Sequence, residues 1–269
     1  MTQNALFGQY WAANSPVHAM DPRIKLTALL VVMIAIFAAA SFTALGVCAL
    51  YIILFYVIAR IPFRQAFKAI APLAFIVVIT ALLNMFFVQG GPVYFQTGPL
   101  EISQLGLHNA AFLGLRLTEL LFAASLLTLT TATLDLADAF EAMLAPLRRV
   151  GFPAHECAMI MGIALRFLPQ FIEEWRTIRA AQISRGAHVG KQSPAAGLRM
   201  LTSLMVPLFT SAFRHADTLS AAMDARCYHG AEGRTKLKPM QYTQRDTLGT
   251  ILVFVLLISV IATNTLLAH

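Results

Sequence analysis

Apolar residues run almost unbroken through five stretches of the chain, at about 24–41, 43–61, 72–89, 106–133 and 247–266. Each approaches the ~20 residues that a helix needs to cross bilayer hydrocarbon. Between the fourth and fifth the pattern changes to the helical periodicity of amphipathic segments. One such helix is expected over about 134–150, with Leu136, Phe140, Met143, Leu144 and Leu147 on a face and Arg148, Arg149, Gly151 and Pro153 closing it. A second runs from about Pro153 to Ser184, carrying Ile163, Phe167, Phe171, Trp175 and Ile178 as a single stripe. A third covers about 194–228, and its apolar part from Met200 to Phe213, with Pro207 inside, is short for a membrane crossing and fits an interfacial or protein-covered helix better.

The predicted fold class is therefore all-α: a polytopic membrane protein of about five transmembrane helices, with three amphipathic helices between the fourth and fifth spans. Three segments follow: a membrane part over 1–133, a cytoplasmic region over 134–245, and a final span with its tail over 246–269. Pro169 and Pro207 lie inside the two long helices, where a missing N–H and a ring clash make each a candidate hinge.

Composition makes lipid the main solvent, since 58% of residues are hydrophobic and only 12% are charged, against roughly a quarter charged in soluble domains. The N-terminus opens with polar residues ahead of Asp21-Pro22-Arg23, which is unlike a cleaved signal peptide, so the first helix is expected to stay. Basic residues set the topology. Of the 20 lysines and arginines none falls in 42–59, 69–115 or 246–269, while 14 fall in 148–245. By the positive-inside rule the N-terminus and the 134–245 region face the cytoplasm of a cell-membrane protein, and the loop 90–105 and the C-terminus lie outside. The net charge of +7 is then a cytoplasmic charge, suited to anionic lipid or an acidic partner.

Both long amphipathic helices end alike, in Ser184-Arg185-Gly186 and in Ala225-Arg226-Cys227. Two readings stand. An arginine near a helix C-terminus complements the dipole, with glycine just beyond supplying a left-handed cap. Alternatively, small flanking residues let another protein approach while the guanidinium offers forked donors to a groove, and two such ends suit a dimer of soluble subunits.

Other chemistries find little support. Gly186 to Gln192 is one residue short of a phosphate-binding loop and has Gln192 where a magnesium-binding hydroxyl belongs, so no ATP site and no enzymatic activity is expected of this chain. The seven histidines form no metal-spaced pair, and Cys48, Cys157 and Cys227 are too scattered for a thiolate site, so neither metal nor cofactor is expected. Arg116 and Glu119, three apart in the fourth span, are expected to pair with each other. A self-sufficient secondary transporter, the alternative function, would show repeated halves and polar midplane sites, and neither is visible.

Tyr10 with Ser15-Pro16-Val17-His18-Ala19-Met20-Asp21-Pro22-Arg23-Ile24-Lys25-Leu26 resembles the opening of the transmembrane T component of energy-coupling factor (ECF) transporters. The likeness continues through Leu134 to Ala139, Ala164 to Pro169, Ser184-Arg185-Gly186, Ala225 to Tyr228 and Gly230 to Thr235. It implies a non-catalytic coupling subunit for vitamin or metal-ion uptake. By resemblance, Ser184, Arg185, Gly186, Ala225, Arg226 and Cys227 dock into grooves of two cytoplasmic ATP-binding cassette ATPases. A membrane-embedded substrate-binding S component would rest on a platform formed by apolar residues such as Phe167, Phe171, Trp175, Met205 and Leu208. The implied partners are thus the ATPases, the S component and the lipid bilayer, with no nucleic acid. ATP-driven closure of the ATPases would move the docked helix ends, and Pro169 and Pro207 would bend as the motion is passed on.

Overall fold

The computed structural model describes residues 11–267 apart from 12, 89, 91, 98–99, 145–153, 187–193 and 231–241. The last turns expected of the 134–150 helix, the near-miss phosphate loop and most of 230–235 lie outside the described residues. Among those described, eight helices and a short hairpin follow in the order α1 (Pro22–Ala38), α2 (Phe42–Ala59), α3 (Phe63–Phe87), β1 (Val93–Thr97), β2 (Leu100–Ser103), α4 (Gln104–Thr130), α5 (Thr133–Leu144), α6 (Ala154–Ser184), α7 (Pro194–Asp224) and α8 (Gln244–Leu267). The fold is the expected all-α polytopic one, with the antiparallel β1–β2 pair inserted in the 90–105 loop.

Four helices, α2, α3, α4 and α8, are long and apolar enough to cross a membrane. The fifth expected span, α1, has 17 residues, the lower limit of a crossing helix. The helix of the third expected span begins nine residues before its apolar run, because α3 continues through Pro72. That proline removes only one N–H from the ladder, and the turns before it carry Arg64 and Lys68.

The chain divides into two compact units, one of 1–139 with 238–269 and one of 140–237. In the first, α1, α2, α4 and α8 pack around Ala35, Ile36, Ala44, Leu45, Cys48, Tyr56, Leu256 and Val260, all essentially without solvent contact. Several are small, which lets apolar helices approach closely where lipid offers no hydrophobic drive to associate. Tyr56 completes this core with a hydrogen bond from its hydroxyl to the Phe122 carbonyl at 3.0 Å. The helix α3 packs along α4, and Gly106 marks their tightest point. A Cβ there would lie 2.6 Å from the Val88 carbonyl oxygen and 2.7 Å from that of Met85. Ser103 secures the same corner, donating to the Val88 carbonyl at 3.0 Å and accepting from the Gly106 N–H at 3.1 Å as the N-cap of α4.

The expected Arg116–Glu119 pair does not form. The Arg116 guanidinium instead donates to the Ala39 carbonyl at the end of α1 and lies 4.7 Å from the centre of the Phe112 ring. Glu119 is 4% exposed, and neither carboxyl oxygen has a protein partner. The i,i+3 spacing allowed the pairing, but a helix-terminal carbonyl and an aromatic face engage the guanidinium instead, with its Nε left buried and without a partner.

In the second unit α6 and α7 run antiparallel. Along α6, Met159, Gln170 and Glu174, and Gln182 meet in turn Tyr228 just beyond α7 and His215 and Ser203 within it. Both helices continue through their prolines, Pro169 and Pro207.

Candidate functional site

The ends of α6 and α7 have a left-handed residue and one closing backbone bond in common. At the end of α7 the Cys227 N–H donates to the Asp224 carbonyl at 2.9 Å, and the Tyr228 N–H reaches back to the Met223 carbonyl at 3.1 Å. This is the paired closure that ends a helix with a left-handed residue, and Cys227 occupies that position with φ of 52°. At the end of α6 the Gly186 N–H donates to the Ile183 carbonyl at 2.9 Å, with Gly186 at φ of 88°. In both, the arginine is the residue just before the left-handed one. The reversal carries the backbone off the helix axis there, and it leaves Arg185 and Arg226 exposed with exposed small neighbours, Ser184, Gly186, Ala225 and Cys227. The Ser184 hydroxyl turns back to the Ala180 carbonyl at 3.1 Å, so the small side chain adds no bulk at the tip. The cap reading of the motif is thus geometrically correct, and the same cap presents the arginine.

Because α6 and α7 are antiparallel, the two arginines stand at opposite ends of the helix pair. About 25 residues of α7 separate them along its axis, roughly 35–40 Å at 1.5 Å per residue.

Between the tips, the facing surfaces of α6 and α7 carry a mixed aromatic and polar seam. The His215 ring lies 5.9 Å from Phe167 and 6.0 Å from Phe171. Its Nε2 also meets Glu174 Oε1 at 2.5 Å and Gln170 at 3.1 Å. The hydrogen bond from His215 holds the Glu174 carboxyl below its ordinary range, against the opposing effect of burial, and Ser211 and Gln170 assist. Phe167 and Phe171 are therefore half-buried in the seam. Met205 and Leu208 are also half-buried. Trp175, 37% exposed, is covered on one face by the Arg179 guanidinium 5.6 Å from its ring centre. Among the described residues, the openly exposed large apolar ones are Ile160, Met161, Leu168 and Ile183 on α6, with Leu201, Val206, Phe209 and Phe213 on α7. Periodicity had marked the inward stripe of α6 and missed the outward one, because both faces of these helices are apolar.

The Asp-Pro-Arg-x-Lys signature resolves into a structural knot in the first unit. Asp21 caps α1 by accepting from the Arg23 N–H at 2.9 Å, with Pro22 at the first helical position. The Asp21 N–H donates to Asp246 Oδ1 at 2.8 Å, while Asp246 Oδ2 accepts from the Thr243 N–H at 2.7 Å. One buried carboxylate thus closes a capping box on α8 and holds the start of α1. Lys25 completes the knot from α1, donating to the His18 carbonyl at 3.0 Å and to the Thr130 carbonyl at the end of α4 at 3.1 Å. The Thr-x-x-Asp spacing of Thr243 and Asp246 was a readable signal for Asp246, whereas its bond to Asp21 spans 225 positions and had none.

A family model described as Cobalt transport protein matches residues 13–237. The chain is 42% identical over 239 residues to a protein of Thermosediminibacter oceani named Energy-coupling factor transporter transmembrane protein EcfT, covering 89% of this chain and 90% of the relative. Proteins of the same name from Heliobacterium modesticaldum and Clostridium kluyveri are 42% and 37% identical over 253 and 257 residues. These cover 94% and 95% of this chain, and 95% of each relative.

Proposed function

We propose, from the premise that this chain belongs to the family of energy-coupling factor transporter transmembrane proteins, that it couples ATP hydrolysis by two cytoplasmic ATPase subunits to the movement of a substrate-binding S component in the membrane. The observation that carries this reading is the duplicated tip. Two helix ends, closed by the same left-handed cap, present one exposed arginine each at opposite ends of an antiparallel pair. A cap alone has no need of an arginine at the same place twice.

Arg185 and Arg226 enter a groove on one ATPase subunit each, donating to carboxylates or backbone carbonyls there. Ser184, Gly186, Ala225 and Cys227 keep the approach close. Closure of the ATPases moves the two tips, and α6 and α7 carry the movement, with Pro169 and Pro207 as bending points. The apolar surface of this pair, from Trp175, Met205 and Leu208 to the exposed Leu168, Val206, Phe209 and Phe213, receives the S component, a partner itself built for lipid. Phe167 and Phe171 support that surface from inside the seam. The N-terminus and the α6–α7 unit face the cytoplasm. Substrate choice lies with the S component, for a vitamin or a metal ion.

The test is co-purification from membranes with the ATPase subunits, comparing wild type with Arg185→Glu, Arg226→Glu and the double change. Reversing a desolvated charge contact costs on the order of 2–5 kcal/mol, so each single change weakens the complex and the double change abolishes it while insertion stays normal. A complex indifferent to both would reduce the arginines to helix caps.

A further inference from the structure

Pro207 has no N–H to give to the carbonyl four residues earlier in α7, that of Ser203. That same carbonyl accepts a hydrogen bond from outside the helix, from Gln182 Nε2 of α6 at 3.3 Å. Gln182 stands three residues before Arg185, in the last turn of α6. A helix gap made by proline on one element is thus filled by a side chain of the other, next to the tip of the latter. A carbonyl freed by a helix proline is satisfied by a neighbouring helix, by a serine or threonine side chain, or by ordered water. Here the closing donor comes from the neighbouring helix.

We infer that Gln182 is a positioning residue for coupling: it fastens the tip of α6 to the proline break of α7, so that displacement of Arg185 acts on α7 at its most bendable point. Without this tie, a push on the α6 tip travels along α6 alone. With it, the push on one ATPase-facing end reaches both long helices, and the bend at Pro207 is held or released according to where that tip stands. The bond is local, part-buried and set by side-chain reach, so a glutamine is favoured over the shorter asparagine. The inference rests on the coupling reading above, but the bond itself does not depend on it.

The experiment has two arms on the same four proteins: wild type, Gln182→Met, Pro207→Ala and the double variant. Methionine keeps the length and lacks the donor, and alanine at 207 restores the helix's own N–H to Ser203. In the first arm, the thermal midpoint of the detergent-purified chain is measured. Gln182→Met lowers it by a few degrees when Pro207 is present and by much less when alanine replaces it. Equal shifts in both backgrounds would overturn the tie.

In the second arm, complexes reconstituted with the ATPases and an S component are assayed for substrate taken up per ATP hydrolysed. The expected result is unchanged assembly and ATP turnover with uptake per ATP reduced roughly three- to tenfold in Gln182→Met, recovered in the double variant. Unchanged uptake per ATP would overturn the positioning role even if the first arm succeeds, and so would loss of assembly, which would mark a merely structural residue. If wild-type chain binds no ATPase, the coupling reading fails and the positioning role falls with it, while the first arm still decides whether the bond exists.

Discussion

Lys25 and Thr130 join the beginning of one helix to the end of another: the Lys25 ammonium, 8% exposed at the start of α1, donates to the Thr130 carbonyl at the end of α4 at 3.1 Å. The last carbonyls of a helix lack partners within it, and here an ammonium ties one of them to the neighbouring helix. Asp21, Asp246 and Asp135 supply the negative field that keeps the charge tolerable. Lys25→Met removes the donor and leaves those carboxylates without their cation, at a cost of about 3 kcal/mol. The predicted outcome is a thermal midpoint in detergent lowered by many degrees. A variant as stable as wild type would show that the knot is decorative.

Cys227 holds a backbone conformation that costs an ordinary residue about 1–2 kcal/mol and glycine little. Cys227→Gly should therefore stabilise the end of α7 by about 1 kcal/mol, and Gly186→Ala should weaken the end of α6 by about the same amount. Cys227→Val, branched at Cβ, should be worst. Thermal unfolding of the three variants checks the order, and the glycine variant should retain ATPase binding because Arg226 is untouched.

Gly106→Ala is expected to push α3 from α4, since the nearest atoms to the new methyl group are two backbone carbonyl oxygens that cannot swing aside. Overpacking of this kind costs about 1–3 kcal/mol. Gly46→Ala and Gly162→Ala meet nothing within 4 Å and should be neutral or slightly stabilising in their helices. Parallel measurement of folded yield separates the cases, and equal behaviour of all three would contradict the close approach.

The seam between α6 and α7 should respond to acid in one direction. The Glu174 carboxyl is held below its ordinary value near 4.5 chiefly by the hydrogen bond from His215. A depressed carboxyl contributes stability that is present above the unfolded value and lost as pH falls through the folded one. The gap in unfolding midpoint between wild type and Glu174→Gln should thus be present above about pH 4.5 and close as pH falls below it. A gap that widens below about pH 4.5 would reverse the assignment.

The apolar runs made the membrane helices legible, and their errors are instructive. Pro72 read as a start, yet a single proline within α3 costs one ladder bond and the helix passes through it. The strands Val93–Thr97 and Leu100–Ser103 were too short to announce themselves against a loop. The helix ends at Arg185 and Arg226 were legible because the small-Arg-small pattern repeats, and the left-handed φ of Cys227 shows what the second end demands of the backbone. Gln182 was not legible, because its importance comes from Pro207, 25 positions away on another helix. The pairing of Arg116 with Glu119 failed for the same reason: the Ala39 carbonyl that takes the arginine lies 77 positions away.

The central claim is that two arginine tips enter two ATPase subunits, and photo-cross-linking tests it most directly. A photoreactive phenylalanine analogue replaces Arg185, Arg226 or, as control, Arg176, an exposed arginine within α6 whose guanidinium pairs with Glu173 at 2.7 Å. The complex is irradiated in membranes with the ATPase subunits present. Adducts to an ATPase subunit are expected from positions 185 and 226 and none from 176. Adducts from 176 alone, or from none of the three in a complex that still assembles, would contradict the claim.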